Sequence, residues 1–297
     1  MIRESFDYTA YLEVKRAIDD DSLNPQVWSA LSNWLAEQSQ RPLRILEIGA
    51  GVGTMIERLL NASILERGRY TAVELEAPFQ AVAFRRLQTW SARHGTHCSI
   101  DSPSRCFIKG QQHDLSIDWL SVDILRLPEI LASERFDLLI GHAVVDLLPV
   151  PECLPGLLKL LRPGGGFYFS LNFAGKTEFT PMDPRDEAVI AAYHRDMDQR
   201  FPHLDWKPSE TGLRLGQWLT RQGYSVVATG HSDWQLPVKN LRNEDNTLFI
   251  SNIIDTIAMA LQGLPGLEEW LAGRRSQLAD GNISFSASNS DLFGTVS

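Results

Sequence analysis

Leu43-Arg-Ile-Leu-Glu-Ile-Gly-Ala-Gly-Val-Gly-Thr54 is the stretch that decides the fold of this chain. A short apolar strand ending in Glu47 runs into Gly49, Gly51 and Gly53, and then into the helical run Met55-Ile-Glu-Arg-Leu-Leu60. A strand that stops at a glycine turn and feeds a helix sets bare backbone N–H groups beside a ligand, and a Cβ there would hold the ligand off. The spacing then narrows the ligand. A dinucleotide fingerprint reads G-x-G-x-x-G, whereas here the third glycine arrives one residue early and Thr54 takes its place. Glu47, two residues before the first glycine, is unwelcoming to a pyrophosphate and suits a cationic ligand.

Working outward, the next apolar strand, Tyr70-Thr-Ala-Val-Glu-Leu75, carries Glu74 at its end. A nucleotide-binding βαβ unit places a ribose-binding carboxylate about twenty residues past the glycine turn. A third run, Ile117 to Ile124, ends near Asp123, and a fourth, Phe136-Asp-Leu-Leu-Ile-Gly-His142, leads into Ala-Val-Val-Asp-Leu-Leu148. Leu157-Leu-Lys-Leu-Leu-Arg-Pro-Gly-Gly-Gly166 reads as a helix stopped by proline and glycine, followed by the strand Phe167-Tyr-Phe-Ser-Leu171. These signals, in this order from 43 to 172, resemble the class I S-adenosylmethionine-dependent methyltransferases. Motif I of that family is E/D-x-G-x-G-x-G, and its L-x-P-G-G segment matches here as well. The resemblance implies an α/β, Rossmann-like, seven-stranded and mostly parallel sheet with helices on both faces. It also implies that S-adenosylmethionine is held by Glu47, Gly49, Ala50, Gly51 and Gly53 in the loop, Glu74 and Leu75 at the ribose, and Asp123 and Ile124 at the adenine, with His142 lining the pocket.

Composition agrees with one elaborated α/β unit. The chain has 297 residues, 43% of them hydrophobic and 22% charged, with a formal net charge of −9. That acidity and the lack of any Lys/Arg-rich tract argue against a nucleic-acid substrate, since phosphate binding needs a basic surface. No apolar run reaches the ~18 residues of a membrane span, and the charged N-terminus has no apolar signal core. Cys98, Cys106 and Cys153, an odd count in no metal-like spacing, point to reduced thiols in the cytoplasm and to no metal. Cys98 and Cys106 flank a turn and can face each other.

The remaining segments are individual. Residues 8–21 and 25–39 read as two helices, with Tyr8, Tyr11, Leu12 and Ile18 on one apolar face and Val27, Leu31, Trp34 and Leu35 on the other. Residues 1–40 thus form an N-terminal helical cover. The cofactor-binding domain spans 41–261, with insertions at 94–116 and 173–211, and 262–297 is a C-terminal extension. The first insertion reads as a β-hairpin decorating the sheet and is a candidate contact of a homodimer. The second carries a helix from Asp183 to about Arg200, opened by an N-cap aspartate and a first-position proline. Placed after a strand whose end faces the ligand crevice, it is a candidate lid bearing Tyr193, His194, Asp196 and Asp198. Residues 224–230 read as a sixth strand, 231–235 as a loop with the polar pair His231 and Asp233, 246–261 as mostly helix, and 267–279 as a last helix. Ile283-Ser-Phe-Ser reads as a short strand, and a short strand must be found somewhere in 231–297 if the seven-stranded sheet is complete.

Methyl transfer asks little covalent chemistry of the protein, because the sulfonium already activates the methyl group. The protein supplies in-line placement and, for a protonated acceptor, a base. His142 is the candidate base, at the end of the fourth strand, and Asp146 would stack beside it on a helical continuation to orient the ring. The expected function is methyl transfer from S-adenosylmethionine to an oxygen or nitrogen of a small-molecule acceptor, releasing S-adenosylhomocysteine. The competing readings are a non-catalytic S-adenosylmethionine-binding regulatory protein and, disfavoured by the glycine spacing, an NAD-dependent oxidoreductase.

Overall fold

The computed structural model of the protein describes residues 8–38, 41–238 and 244–297. In chain order the elements are α1 (Tyr8–Ser22), α2 (Pro25–Gln38), β1 (Leu43–Ile48), α3 (Thr54–Asn61), β2 (Arg67–Val73), α4 (Pro78–Arg93), β3 (His97–Ser102), β4 (Arg105–Lys109) and β5 (Asp114–Leu120). There follow α5 (Leu127–Ile130), β6 (Phe136–His142), α6 (Val150–Leu158), β7 (Leu161–Thr180), α7 (Asp186–Asp198), α8 (Thr211–Arg221), β8 (Ser225–His231), β9 (Trp234–Leu236), α9 (Glu244–Ala260), α10 (Leu267–Ala279) and β10 (Ser284–Thr295).

The strands hydrogen-bond in the order β3-β4-β5-β2-β1-β6-β7-β10-β8, with β9 paired to β10. The pairs β1/β2, β1/β6, β2/β5 and β6/β7 are parallel. This is the mostly parallel α/β sheet expected, but among the described residues it has ten strands where seven were expected. The hairpin β3/β4 does more than decorate: β4 pairs antiparallel with β5 from Arg105↔Asp118 to Lys109↔Asp114, so the sheet itself is extended. The missing strand is β10, twelve residues long where a four-residue strand was read. β7 is also longer than its apolar segment, because the Arg-Pro-Gly-Gly-Gly stretch and residues up to Thr180 stay extended.

The chain forms two compact units, one of Asn24–Ser170, Leu215–Gly230 and Asp291–Ser297, the other of Met1–Leu23, Leu171–Arg214 and His231–Ser290. Units defined by contact are not contiguous in sequence, and both long strands, β7 and β10, run from one into the other.

In the first unit β1 and β6 are buried along nearly their whole length and β2 from Tyr70 to Val73, with Ile45, Leu46, Ile48, Tyr70, Leu138, Leu139 and Ile140 fully enclosed. A parallel strand covered on both faces needs such continuous apolar sequence. β1 sits where the strand order reverses, between β2 and β6. In open α/β sheets the crevice outside the carboxyl ends at this switch point is where ligands bind.

The second unit has its own core. Phe249, Ile250, Ile254 and Ile257 of α9 pack with Trp270 and Leu271 of α10, Val189 and Ala192 of α7, and Phe179, Ile283 and Phe285. Tyr11 of α1 stacks on Phe249 at 5.7 Å, whereas the side chain of Tyr8 lies outside the described residues. Arg274, buried in this core, pairs with Asp186 and donates to the Pro181 carbonyl. Asp183 accepts from the Arg185 N–H ahead of α7, but the helix begins at Asp186 with Arg185 at its N-cap, so neither Asp183 nor Pro184 takes the position read for it.

Three readings outside the glycine unit resolve into packing. Cys98 and Cys106 lie diagonally across the hairpin and hydrogen-bond as thiols, which pushes the Cys106 thiol up. His194 meets the Thr177 hydroxyl at 3.1 Å and lies edge-on to Phe173, and burial lowers its pKa. Asp233 accepts from the Asn289 N–H at 2.9 Å, and β9 occupies part of the segment read as loop. Among the described residues no helix is long and apolar enough to cross a membrane. Nor do three or more His, Cys, Asp or Glu side chains there gather in a group that could hold a metal.

Candidate active site

The loop after β1 takes its shape from its three glycines. Gly49, Gly51 and Gly53 have φ of +65°, +53° and +77°, a region that costs any residue with a Cβ. Gly49 is constrained further, since a Cβ there would lie 2.5 Å from Val144 Cγ2. The loop N–H groups are less bare than the sequence suggests. Ala50 N–H donates to the Val73 carbonyl at 2.9 Å, Gly51 N–H to Glu74 Oε2 at 2.9 Å, and Gly53 N–H to the Ala50 carbonyl at 2.9 Å. A phosphate cradle must present such donors to its anion. This loop spends three of them holding its own shape, which fits a ligand without phosphates.

Glu74 follows β2 directly. Its Oε2 accepts from Gly51 and its Oε1 from the Glu76 N–H at 3.0 Å. A carboxylate offers about four lone-pair sites, so acceptor capacity remains on both oxygens for a ribose diol. The neighbouring Leu75 side chain is 65% exposed. Asp123 lies past the end of β5 rather than within the strand. It caps a short 3-10 turn from Ile124 to Arg126 by accepting from the Leu125 N–H at 2.9 Å, with Ile124 half-buried beside it.

Glu47 is inaccessible, 1% exposed, and accepts a 2.8 Å hydrogen bond from the Tyr70 hydroxyl across β1/β2. Burial raises its pKa from 4.5 to about 8, against the lowering influence of Tyr70 and of the Arg58 charge. The Tyr70 hydroxyl is driven well above its usual range by the same burial. Burial thus favours the protonated form of Glu47, whereas a cation brought close would favour its carboxylate.

The sequence reading missed Arg58. It sits on α3, 6% exposed, and the only sequence signal was a charged residue inside the apolar run Met55–Leu60. Its Nη1 lies 3.1 Å from His142 Nε2, and His142 Nδ1 lies 2.8 Å from the Ser170 hydroxyl on the paired strand β7. Both nitrogens of the expected base thus have protein partners. Asp146 does not stack beside His142 on a helix: Ala143 takes φ +51° after β6, and Asp146 falls in a separate 3-10 turn, Val145–Leu147. The chain must turn sharply there because Val144 packs against Gly49 and Gly141.

Sheet order, glycine loop and strand-end acids define an S-adenosylmethionine-dependent methyltransferase. A family described as "Putative S-adenosyl-L-methionine-dependent methyltransferase" matches residues 28–231, more than half of the chain, and the protein belongs to it. Its cofactor is S-adenosylmethionine. A search of curated proteins returned no significant match. Among solved structures, a Geobacter sulfurreducens S-adenosylmethionine-dependent methyltransferase bound to S-adenosylhomocysteine is 13% identical, with 93% of this chain and 92% of that one covered and a TM-score of 0.46. The corresponding Thiobacillus denitrificans complex is 16% identical over 91% and 92%, at 0.44. Magnesium protoporphyrin IX methyltransferase from Synechocystis, with bound S-adenosylhomocysteine, is 13% identical over 99% and 89%, at 0.46.

Proposed function

We propose that this protein transfers a methyl group from S-adenosylmethionine to an oxygen or nitrogen atom of a small-molecule acceptor by in-line displacement, leaving S-adenosylhomocysteine. The observation that carries the reading is the Glu74 carboxylate, fastened to the Gly51 and Glu76 N–H groups with lone pairs to spare. That arrangement pre-sets a diol acceptor at the edge of a loop that withholds its N–H groups from phosphate. The bound cofactor supplies a methyl group already activated by its sulfonium. In this reading Glu47 holds the cationic amino-acid portion, and Gly49, Ala50, Gly51 and Gly53 let it approach the backbone. Glu74 and Leu75 hold the ribose, and Asp123 and Ile124 hold the adenine. The net charge of −9 and the absence of a basic tract favour a small acceptor over a nucleic acid.

Calorimetric titration of the full chain with S-adenosylmethionine, S-adenosylhomocysteine and NAD tests the reading. Binding of the first two that weakens in Glu74→Ala supports it, and tighter binding of NAD would overturn it. Binding without production of S-adenosylhomocysteine across a panel of small hydroxyl and amine acceptors would favour a regulatory binding protein instead.

A further inference from the structure

We propose that Arg58 is a positioning residue that holds His142 as its uncharged Nδ1–H tautomer, making the imidazole a fixed donor to Ser170 and withdrawing it from proton abstraction. The argument begins with what each group can do. A guanidinium only donates hydrogen bonds, so at 3.1 Å the His142 Nε2 must be the acceptor. A neutral ring whose Nε2 accepts carries its hydrogen on Nδ1, and the Ser170 Oγ, 2.8 Å away, receives it. Protonating Nε2 would replace that bond with two N–H groups pointing at each other and set an imidazolium against a guanidinium.

The two partners are held rigidly. Ser170 is fully buried on β7, directly opposite His142 in the strand register, and Arg58 is buried on α3. The titratable and charged groups around them belong to several elements. Glu47 of β1 and Tyr70 of β2 interact electrostatically with Arg58, as does Tyr168 of β7. Asp146 follows in the 3-10 turn beyond β6.

The consequence for catalysis, which rests on the methyl-transfer reading above, is that an acceptor proton leaves by a route other than His142. The pH dependence of kcat/KM then follows the acceptor, with no limb near the ordinary histidine pKa of about 6.5. Arg58 and Ser170 together set which face of the imidazole donates, so they belong with the site although neither was expected there.

The tautomer is read on the ligand-free full chain, independently of activity. Protein labelled with 15N-histidine is followed by NMR from about pH 5.5 to 8.5, and the His142 signals are assigned from their loss in His142→Phe. The expected result is an Nδ1–H pattern that stays constant over that range in the wild type. In Arg58→Met the ring is expected to titrate within this window, whereas Arg58→Lys, which keeps the charge, leaves it uncharged. A wild-type His142 that titrates in this window, or that carries its hydrogen on Nε2, overturns the proposal even if Arg58→Met fails to fold. So does a folded Arg58→Met whose ring behaves as in the wild type. S-adenosylhomocysteine titration of the same samples separates the two readings: absent binding overturns the cofactor reading while a constant Nδ1–H pattern still supports the tautomer.

Discussion

Replacing Glu47 by glutamine is expected to stabilise the ligand-free protein progressively as the pH rises from 5 to 8. Glu47 has a folded-state pKa of about 8 against an ordinary value of 4.5. Its stabilising contribution is therefore complete below 4.5 and is lost as the pH climbs through 8. In that interval the folded state keeps a proton that the unfolded state has released, so stability falls by about 1.4 kcal/mol per pH unit. Between pH 4.5 and 7 the loss approaches ~3 kcal/mol in the wild type, and glutamine, which cannot ionise, does not suffer it. The amide carbonyl still accepts from the Tyr70 hydroxyl, so the 2.8 Å bond survives the substitution. For a chain of this size the gain at pH 7 corresponds to a rise in Tm of roughly 5–10 °C. Thermal unfolding of both proteins at pH 5, 6, 7 and 8 measures it, because the other titrating groups cancel in the difference. A Tm difference that does not change with pH would mean that Glu47 ionises normally in the folded state, and the reasoning would fail. The same substitution is expected to weaken S-adenosylmethionine binding, since the carboxylate that a cation would draw out is gone.

Further outcomes follow from the loop. Glu74→Ala removes the acceptor of the Gly51 and Glu76 N–H groups, and calorimetry should show affinity for S-adenosylhomocysteine down by about 10- to 100-fold, in line with ~1.5–3 kcal/mol for a charged hydrogen bond. Gly49→Ala combines a φ of +65° with a Cβ placed 2.5 Å from Val144 Cγ2, so denaturant unfolding should show a loss of about 2–4 kcal/mol, and the double variant with Val144→Ala should recover part of it. S-adenosylhomocysteine at a hundred times its Kd should stabilise the wild type by about 2.7 kcal/mol in the same assay, and the Glu74→Ala protein much less at that concentration.

The parts of the site that could be read from sequence are those with local causes. Glycine at positive φ, an acid at the end of a strand, and a strand long enough to cross a buried sheet are properties of a few consecutive residues. The loop at Gly49–Gly53 and the strand-end placement of Glu74 follow from them, and α10 has the bounds read for it, Leu267–Ala279. What could not be read depends on which strands become neighbours. Arg58 was one charge within the helical run Met55–Leu60, and only the fold brings His142 of β6 to within 3.1 Å of it. Ser170 looked like one polar residue in an apolar strand until the β6/β7 register placed it opposite His142. The helical continuation expected from His142 to Asp146 is absent: Ala143 takes φ +51° and Asp146 lies in a 3-10 turn, with Val144 close to Gly49.

The sequence by itself determined the mostly parallel α/β sheet, the cofactor class and the placement of Glu74 and Asp123 beyond the ends of their strands, because each is encoded in short-range pattern and spacing. Tertiary structure alone decided the full course of β7 and β10, the joining of the hairpin to the sheet and the protonation of Glu47. It likewise decided that both nitrogens of His142 are engaged. The physical reason is the same in each case. Burial and donor–acceptor pairing are properties of the space around a residue, and residues distant in the chain supply that space.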